Sequence, residues 1–179
     1  MLFGDKTEIR RAVRKRIAEL TAELRAEKSA LIENELSNCD AIRSASVVAL
    51  YASLADEPQT RSLIENLSRS CTIVLPKVDG DDMDFFEYSP DNMAIGAFGI
   101  EEPVYGRAVS PDEIDAIVVP AMAYTADGIR LGRGRGYYDR YMSRSGFRAS
   151  KIGVCFTEQI VGHIPAEPHD ISVDKVVSA

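Results

Sequence analysis

Four short runs of apolar and β-branched residues, Ser46–Leu50, Thr72–Leu75, Ala116–Val119 and Lys151–Phe156, most constrain how this chain folds. Each is nearly continuous rather than alternating, so it reads as a strand covered on both faces, which points to a mostly parallel sheet flanked by helices. The intervening sequence supplies the helices. Ile9, Val13, Ile17, Leu20 and Leu24 recur at steps of three and four, an amphipathic stripe within Thr7–Leu36 that reads as one helix or two. Gln59–Leu67 reads as another, with Leu63, Ile64 and Leu67 inward, and a further helix runs from about Tyr137 to Arg144. Pro76 is expected to stop the second strand and Pro120 the third; Gly80-Asp81-Asp82 turns into a strand at Met83–Tyr88. Ser110-Pro111-Asp112-Glu113 is a capping box with proline at the first helical position, and Val173–Val177 adds an edge strand. With 179 residues and no repeat or linker, the expectation is a single α/β domain over 1–179.

Charge placement narrows the function. The chain is acidic, −7 at pH 7, which argues against a protein that coats nucleic acid or anionic membrane. No apolar run approaches the roughly 18 residues of a membrane span, and Met1–Lys6 lacks the apolar stretch of a signal peptide. Cys39, Cys71 and Cys155 form no Cys-x-x-Cys pair, which fits a reducing, cytoplasmic setting; the expectation is a monomer. Yet Lys6–Arg16 carries six cations against Glu8, and Gly128–Arg148 six against Asp139, while Ala30–Gly128 holds five cations and eighteen anions. If the fold brings the two basic segments together, they form a site for a compact polyanion such as a nucleoside triphosphate. Alternatively, Lys6–Arg16 is the solvated face of a helix.

The second basic segment has a recognisable form. Gly128–Arg140 follows a strand and opens a helix, with glycines at 132, 134 and 136. Such a loop can turn successive N–H groups toward one anion, and a helix N-terminus adds its own. Arg130, Arg133 and Arg135 can bond phosphoryl oxygens, and Asp139, in the first helical turn, is placed to hold Mg²⁺. A Rossmann fingerprint would need glycine where Tyr137 stands, and no Gly-Lys-Ser/Thr follows to make a Walker loop. An RG-rich nucleic-acid segment, or a tight turn with solubilising arginines, remains open.

Arg130-Leu-Gly-Arg-Gly-Arg-Gly-Tyr-Tyr-Asp-Arg140 resembles the signature of the 5-formyltetrahydrofolate cyclo-ligases, or methenyltetrahydrofolate synthetases. The resemblance extends to Lys6-Thr-Glu-Ile-Arg10, Tyr51–Thr60, Leu75–Val78, Gly99–Pro103, Glu158-Gln159 and His169-Asp170. It implies a three-layer, Rossmann-like α/β domain akin to sugar-phosphate isomerases. It also implies ATP- and Mg²⁺-dependent closure of 5-formyltetrahydrofolate to 5,10-methenyltetrahydrofolate, with ADP and phosphate released. On that resemblance, Lys6, Arg10 and the loop residues Arg130, Leu131, Gly132, Arg133, Gly134, Arg135, Gly136, Tyr137 and Tyr138 bind ATP. Leu54, Glu57, Gln59, Arg133 and Tyr137 meet the folate; Asp139 and Asp170 hold Mg²⁺; Arg133, Arg135 and Tyr137 are catalytic. Three positions depart from the family pattern: Gln59 for an acid, Ala121 for glycine and Thr125 for aspartate.

The chemistry suits such residues. A formamide oxygen leaves poorly until phosphorylated, so the protein's task is alignment and charge neutralisation. Phe85, Phe86 or Tyr88 could stack on the pterin, or pack in the core. His163 and His169 have no cysteine at metal-ligand spacing and read as loop residues. The rivals are a sugar-phosphate isomerase-like or acyl-CoA transferase-like enzyme on a similar fold, and a relative that binds nucleotide or folate without turnover.

Overall fold

The computed structural model describes residues 5–96 and 99–179. In chain order the elements are α1 (Lys6–Ala18), α2 (Ala22–Ser37), α3 (Asp40–Arg43), β1 (Val47–Ala49), α4 (Arg61–Leu67), β2 (Thr72–Asp79), β3 (Asp82–Glu87), β4 (Met93–Ile95), β5 (Glu101–Pro103) and β6 (Ala108–Val109). Then come β7 (Ala116–Pro120), β8 (Ala123–Tyr124), β9 (Arg130–Leu131), α5 (Tyr137–Met142), β10 (Ser150–Cys155) and β11 (Lys175–Ser178). Short 3₁₀ turns lie at Pro90–Asn92, Pro111–Glu113 and Thr157–Gln159; the Ser110/Glu113 capping box forms as expected.

Seven strands make one sheet in the order β11-β10-β7-β1-β2-β3-β6, parallel from β11 through β2 and antiparallel beyond. The apolar runs are continuous because both faces are covered. Val48, Leu50, Ile73, Leu75, Val118, Ile152 and Val154 pack in one cluster with Ile32 and Leu36 of α2, Ile42 of α3, and Leu63 and Ile64 of α4. Their neighbours Ala49, Val74, Ile117, Val119 and Cys155 pack in a second cluster with Tyr141 and Met142 of α5. Period-two alternation thus sends successive residues into two cores, giving three layers. Each buried Val, Leu or Ile contributes about 1.5–3 kcal/mol. A third cluster seats Ile9, Val13 and Ile17 of α1 on Met122, Ala123, Leu131, Val161 and Ile164.

Three local expectations need correction. Thr7–Leu36 forms two helices, the second of the two alternatives, because Thr21 caps a new one with its Oγ1 accepting the Leu24 N–H; the correction is that Leu24 leaves the stripe and turns outward to 39% exposure. Pro76 does not end its strand: β2 runs on to Asp79, pairing Pro76 with Phe85. What ends there is the parallel ladder, in which the Leu50 N–H bonds Val74 C=O and the next donor toward β1 would be the missing Pro76 N–H. The last strand begins at Lys175 rather than Val173, whose N–H bonds Gly128 C=O instead.

Candidate active site

β1 is followed in the sheet by β2 on one side and by β7, then β10, on the other, so the strand order reverses between β1 and β7. In open α/β sheets, ligands bind at the carboxyl ends of the strands at such a point. Here a cavity of about 190 Å³ opens, lined by Tyr51 and Ala52 after β1 and by Pro120 and Ala121 at the end of β7. The β2–β3 hairpin adds Pro76, Val78 and Met83; Ile100 and Glu102 add another wall, and Gly132–Asp139 closes the mouth. The walls are mainly apolar, with charged groups at one end.

The glycine loop is shaped as its sequence demands. Gly134 (φ +104°) and Gly136 (φ +69°) occupy backbone conformations that side-chain-bearing residues rarely adopt, and Gly136 caps α5. α5 has only six residues, so a full helix dipole is not available and anion binding falls to the loop's amides and arginines. Arg10 Nε donates to Gly132 C=O at 2.9 Å, joining the two basic segments across 122 residues of sequence. Lys6 arrives on the same helix face and pairs with Asp170 at 2.7 Å and Glu167 at 3.2 Å. Burial works against the charge on Asp170, but the Lys6 ammonium and the Glu167 N–H outweigh it and hold its carboxyl below the ordinary value.

The arginines divide by environment. Arg130 is buried; it pairs with Asp139 Oδ1 at 2.5 Å and donates from Nε to Ile171 C=O, while the Ile171 N–H returns to Asp139 Oδ1. This closed cluster braces the loop from behind, and Leu131 likewise turns its side chain into the α1 core. Arg133 reaches across the cavity mouth to Asp56 (2.6 Å) and Glu57 (3.0 Å). Among the described residues the exposed Arg135 guanidinium has no hydrogen-bond or ion-pair partner. Tyr137 donates to Gly80 C=O at 3.0 Å, with the Arg140 guanidinium 5.4 Å from its ring centre. Tyr138 lines the cavity, and burial pushes its phenol well above the ordinary range.

Of the expected folate-side residues, Leu54 and Glu57 line this cavity and Gln59 does not. Gln59 faces a neighbouring hollow of about 550 Å³, and its amide braces its own loop by donating to Leu54 and Glu57 C=O. Glu57 is one of three acids that line the cavity, with Glu102 and Asp139. It is buried, it accepts the Leu54 N–H, and burial raises its carboxyl above the ordinary value against the opposing pull of that N–H and of Arg133. Phe85 is fully buried against Tyr141, centroids 4.8 Å apart, and so is core. Phe86 lies under Lys77, and Tyr88 borders the other hollow. Thr125 keeps its turn closed by accepting the Ile129 N–H at 3.0 Å, and Ala121 sits at an ordinary φ, so neither departure distorts the site. His163 is exposed, and His169 lies beside Glu167 at 3.3 Å.

Mg²⁺ keeps several waters and is usually bound by one or two carboxylates together with substrate phosphates. Among the described residues no three His, Cys, Asp or Glu side chains cluster as metal ligands. The Ile171 N–H on Asp139 sets the backbone next to Asp170 against Asp139, and the two carboxylates pair with Lys6 (Asp170) and Arg130 (Asp139). Two carboxylates beside a phosphate-type loop fit a phosphate-escorted Mg²⁺ rather than an all-protein cage.

The sequence profile of the 5-formyltetrahydrofolate cyclo-ligase family matches residues 3–179. The chain belongs to this family. The mouse 5-formyltetrahydrofolate cyclo-ligase is 28% identical over 187 residues, spanning 96% of this chain and 92% of the relative. That of Haemophilus influenzae is 30% identical over 174 residues, with 93% of each chain covered. The solution structure of Aquifex aeolicus 5,10-methenyltetrahydrofolate synthetase superimposes with a TM-score of 0.86 at 35% identity, covering 97% of this chain and 89% of that one. This cyclo-ligase family membership displaces the isomerase-like and transferase-like readings of the chain and the RG-rich reading of the loop. Among the described residues no helix is long and apolar enough to cross a membrane.

Proposed function

We propose that this chain, as one domain, catalyses the ATP-dependent cyclisation of 5-formyltetrahydrofolate to 5,10-methenyltetrahydrofolate, releasing ADP and phosphate. The observation that carries the reading is the junction of α1 with the glycine loop, Arg10 on Gly132, at the mouth of an apolar cavity. A triphosphate there meets the loop amides, Lys6, Arg10, Arg133 and Arg135, while a flat heterocycle enters between Leu54, Val78 and Met83 toward Glu57.

The formyl oxygen attacks the γ-phosphorus, the bond to the β–γ bridging oxygen breaks, and ADP leaves. The N5 lone pair moves into the C–N bond, leaving a phosphorylated iminium carbon. N10 attacks that carbon, loses its proton to water, and the C–O bond to phosphate breaks to give the methenyl bridge. Arg133 and Arg135 offset charge on the phosphoryl oxygens, and Tyr137, fixed on Gly80, orients the formyl end. Asp139 and Asp170 would hold Mg²⁺, which supplies charge neutralisation at the phosphates. Acidic charge and isolated cysteines support a cytoplasmic enzyme acting on small molecules.

The test is near-ultraviolet absorbance of the protein with 5-formyltetrahydrofolate, Mg²⁺ and ATP. The methenyl chromophore is expected to grow only when ATP is present. Bound nucleotide without chromophore growth overturns the catalytic reading and leaves a binding protein.

A further inference from the structure

One arginine spans the cavity mouth between two acids. Arg133 Nη2 lies 2.6 Å from Asp56 Oδ1 and 3.0 Å from Glu57 Oε1, with Nε 3.1 Å from the same Glu57 oxygen. The other Glu57 oxygen takes the Leu54 N–H at 3.0 Å. The two acids differ in setting: the Glu57 side chain is 8% exposed and that of Asp56 is 37%.

This inference rests on the functional reading above, under which both ligands need groups that this cluster holds. A guanidinium presents a planar fork, and its Nε–Nη2 edge is the one that Glu57 and Asp56 occupy, so a phosphate bound bidentately on that edge displaces them. A buried carboxylate deprived of its cation needs a new donor, because an unpaired buried charge is costly. The N–H groups of a reduced pterin are such donors. The triphosphate therefore releases the acid that the heterocycle needs, and the heterocycle releases the arginine that the triphosphate needs.

We propose that Arg133 is a shared cation, held by Asp56 and Glu57 until the triphosphate takes it over, so that nucleotide and folate tighten each other's binding. Asp56, at the exposed rim, is the positioning residue that sets how firmly the arginine is held. Coupling between sites is reciprocal, so each ligand changes the other's affinity by one factor.

The experiment measures the affinity of a non-hydrolysable ATP analogue, with and without saturating 5-formyltetrahydrofolate, and the converse pair. In the unaltered protein both ratios are expected to agree at about 5- to 20-fold. In Asp56→Asn the analogue alone is expected to bind about 2- to 5-fold more tightly, the worth of one exposed ion pair no longer competing. Asp56→Glu should restore the original value, and Glu57→Gln should bring the ratio close to one. If Asp56 merely supports its loop, Asp56→Asn weakens folate and leaves the analogue's affinity unchanged, which overturns the proposal. So does a ratio of one in the unaltered protein. An unaltered protein that binds no analogue overturns the functional reading as well, so the two failures are distinguishable.

Discussion

Glu57 shows how burial changes what a single side chain can do. Its carboxyl sits above the ordinary 4.5 because burial penalises the charge more than the Leu54 N–H and Arg133 favour it. Between 4.5 and its folded value the native state holds a proton that the unfolded chain has lost. Stability therefore falls as pH rises through that window and carries a constant cost above it. Asp170 has the opposite sign: its lowered value contributes stability present above 3.8 and lost as pH falls through the folded value. Glu57→Gln should therefore flatten the pH dependence of urea-unfolding stability just above 4.5 and leave the acid limb below 3.8 unchanged. The same variant should lose most turnover, since an amide cannot accept both N–H groups of a heterocycle edge. A profile with the original slope would mean that Glu57 keeps its usual carboxylate behaviour. Sequence placed Glu57 and Gln59 together on the folate side, because chain position cannot say which of two neighbouring side chains turns inward. That choice is made by packing, which puts Gln59 on its own loop carbonyls.

Elements were legible where local chemistry decides them and obscure where a distant neighbour does. The Ser110/Glu113 box and the two-faced strands follow from adjacent residues and their period. The continuation of β2 past Pro76 does not, since it depends on β3 folding back across the Gly80 turn to pair on the side where proline needs no N–H. That hairpin supplies Val78 and Met83 to the cavity, so the error about Pro76 also hid part of the site. β10 shows a similar long-range dependence. Gly153 lies under the Tyr124 ring, where an added Cβ would come within 2.6 Å of ring carbons, and the Tyr124 hydroxyl is tied to Val119 C=O. The ring is fully buried and has nowhere to move. Gly153→Ala should therefore cost about 1–3 kcal/mol, as overpacking of a filled core does. Chemical denaturation checks this, and a loss under about 0.5 kcal/mol would show that the ring can shift.

At the scale of the whole molecule, the two basic segments meet only because α1 returns to the glycine loop, and the charge pattern foreshadowed that return without giving its geometry. The acidic middle of the chain lies between two basic segments; the fold joins them through Arg10 and stabilises the join with Ile9, Val13 and Ile17 beneath. Apolar seating and the proposed nucleotide contact thus fall on different faces of one helix and should be separable. A ligand at 100 times its dissociation constant adds about 2.7 kcal/mol to stability. For a chain of this length that is a rise of roughly 5–10 °C in Tm. Arg10→Ala removes one part-exposed hydrogen bond, so the unliganded protein should lose only about 0.5–1.5 kcal/mol. At the same analogue concentration, however, most of the ligand-induced rise should disappear if the arginine that bonds Gly132 also meets the phosphates, as proposed. Thermal melts of the two proteins with and without the non-hydrolysable ATP analogue make the comparison. A variant that keeps the full rise would mean that α1 packs beside the nucleotide without helping to hold it. One whose unliganded melting point collapses would mean that the Arg10–Gly132 bond, and not the apolar stripe, seats the helix.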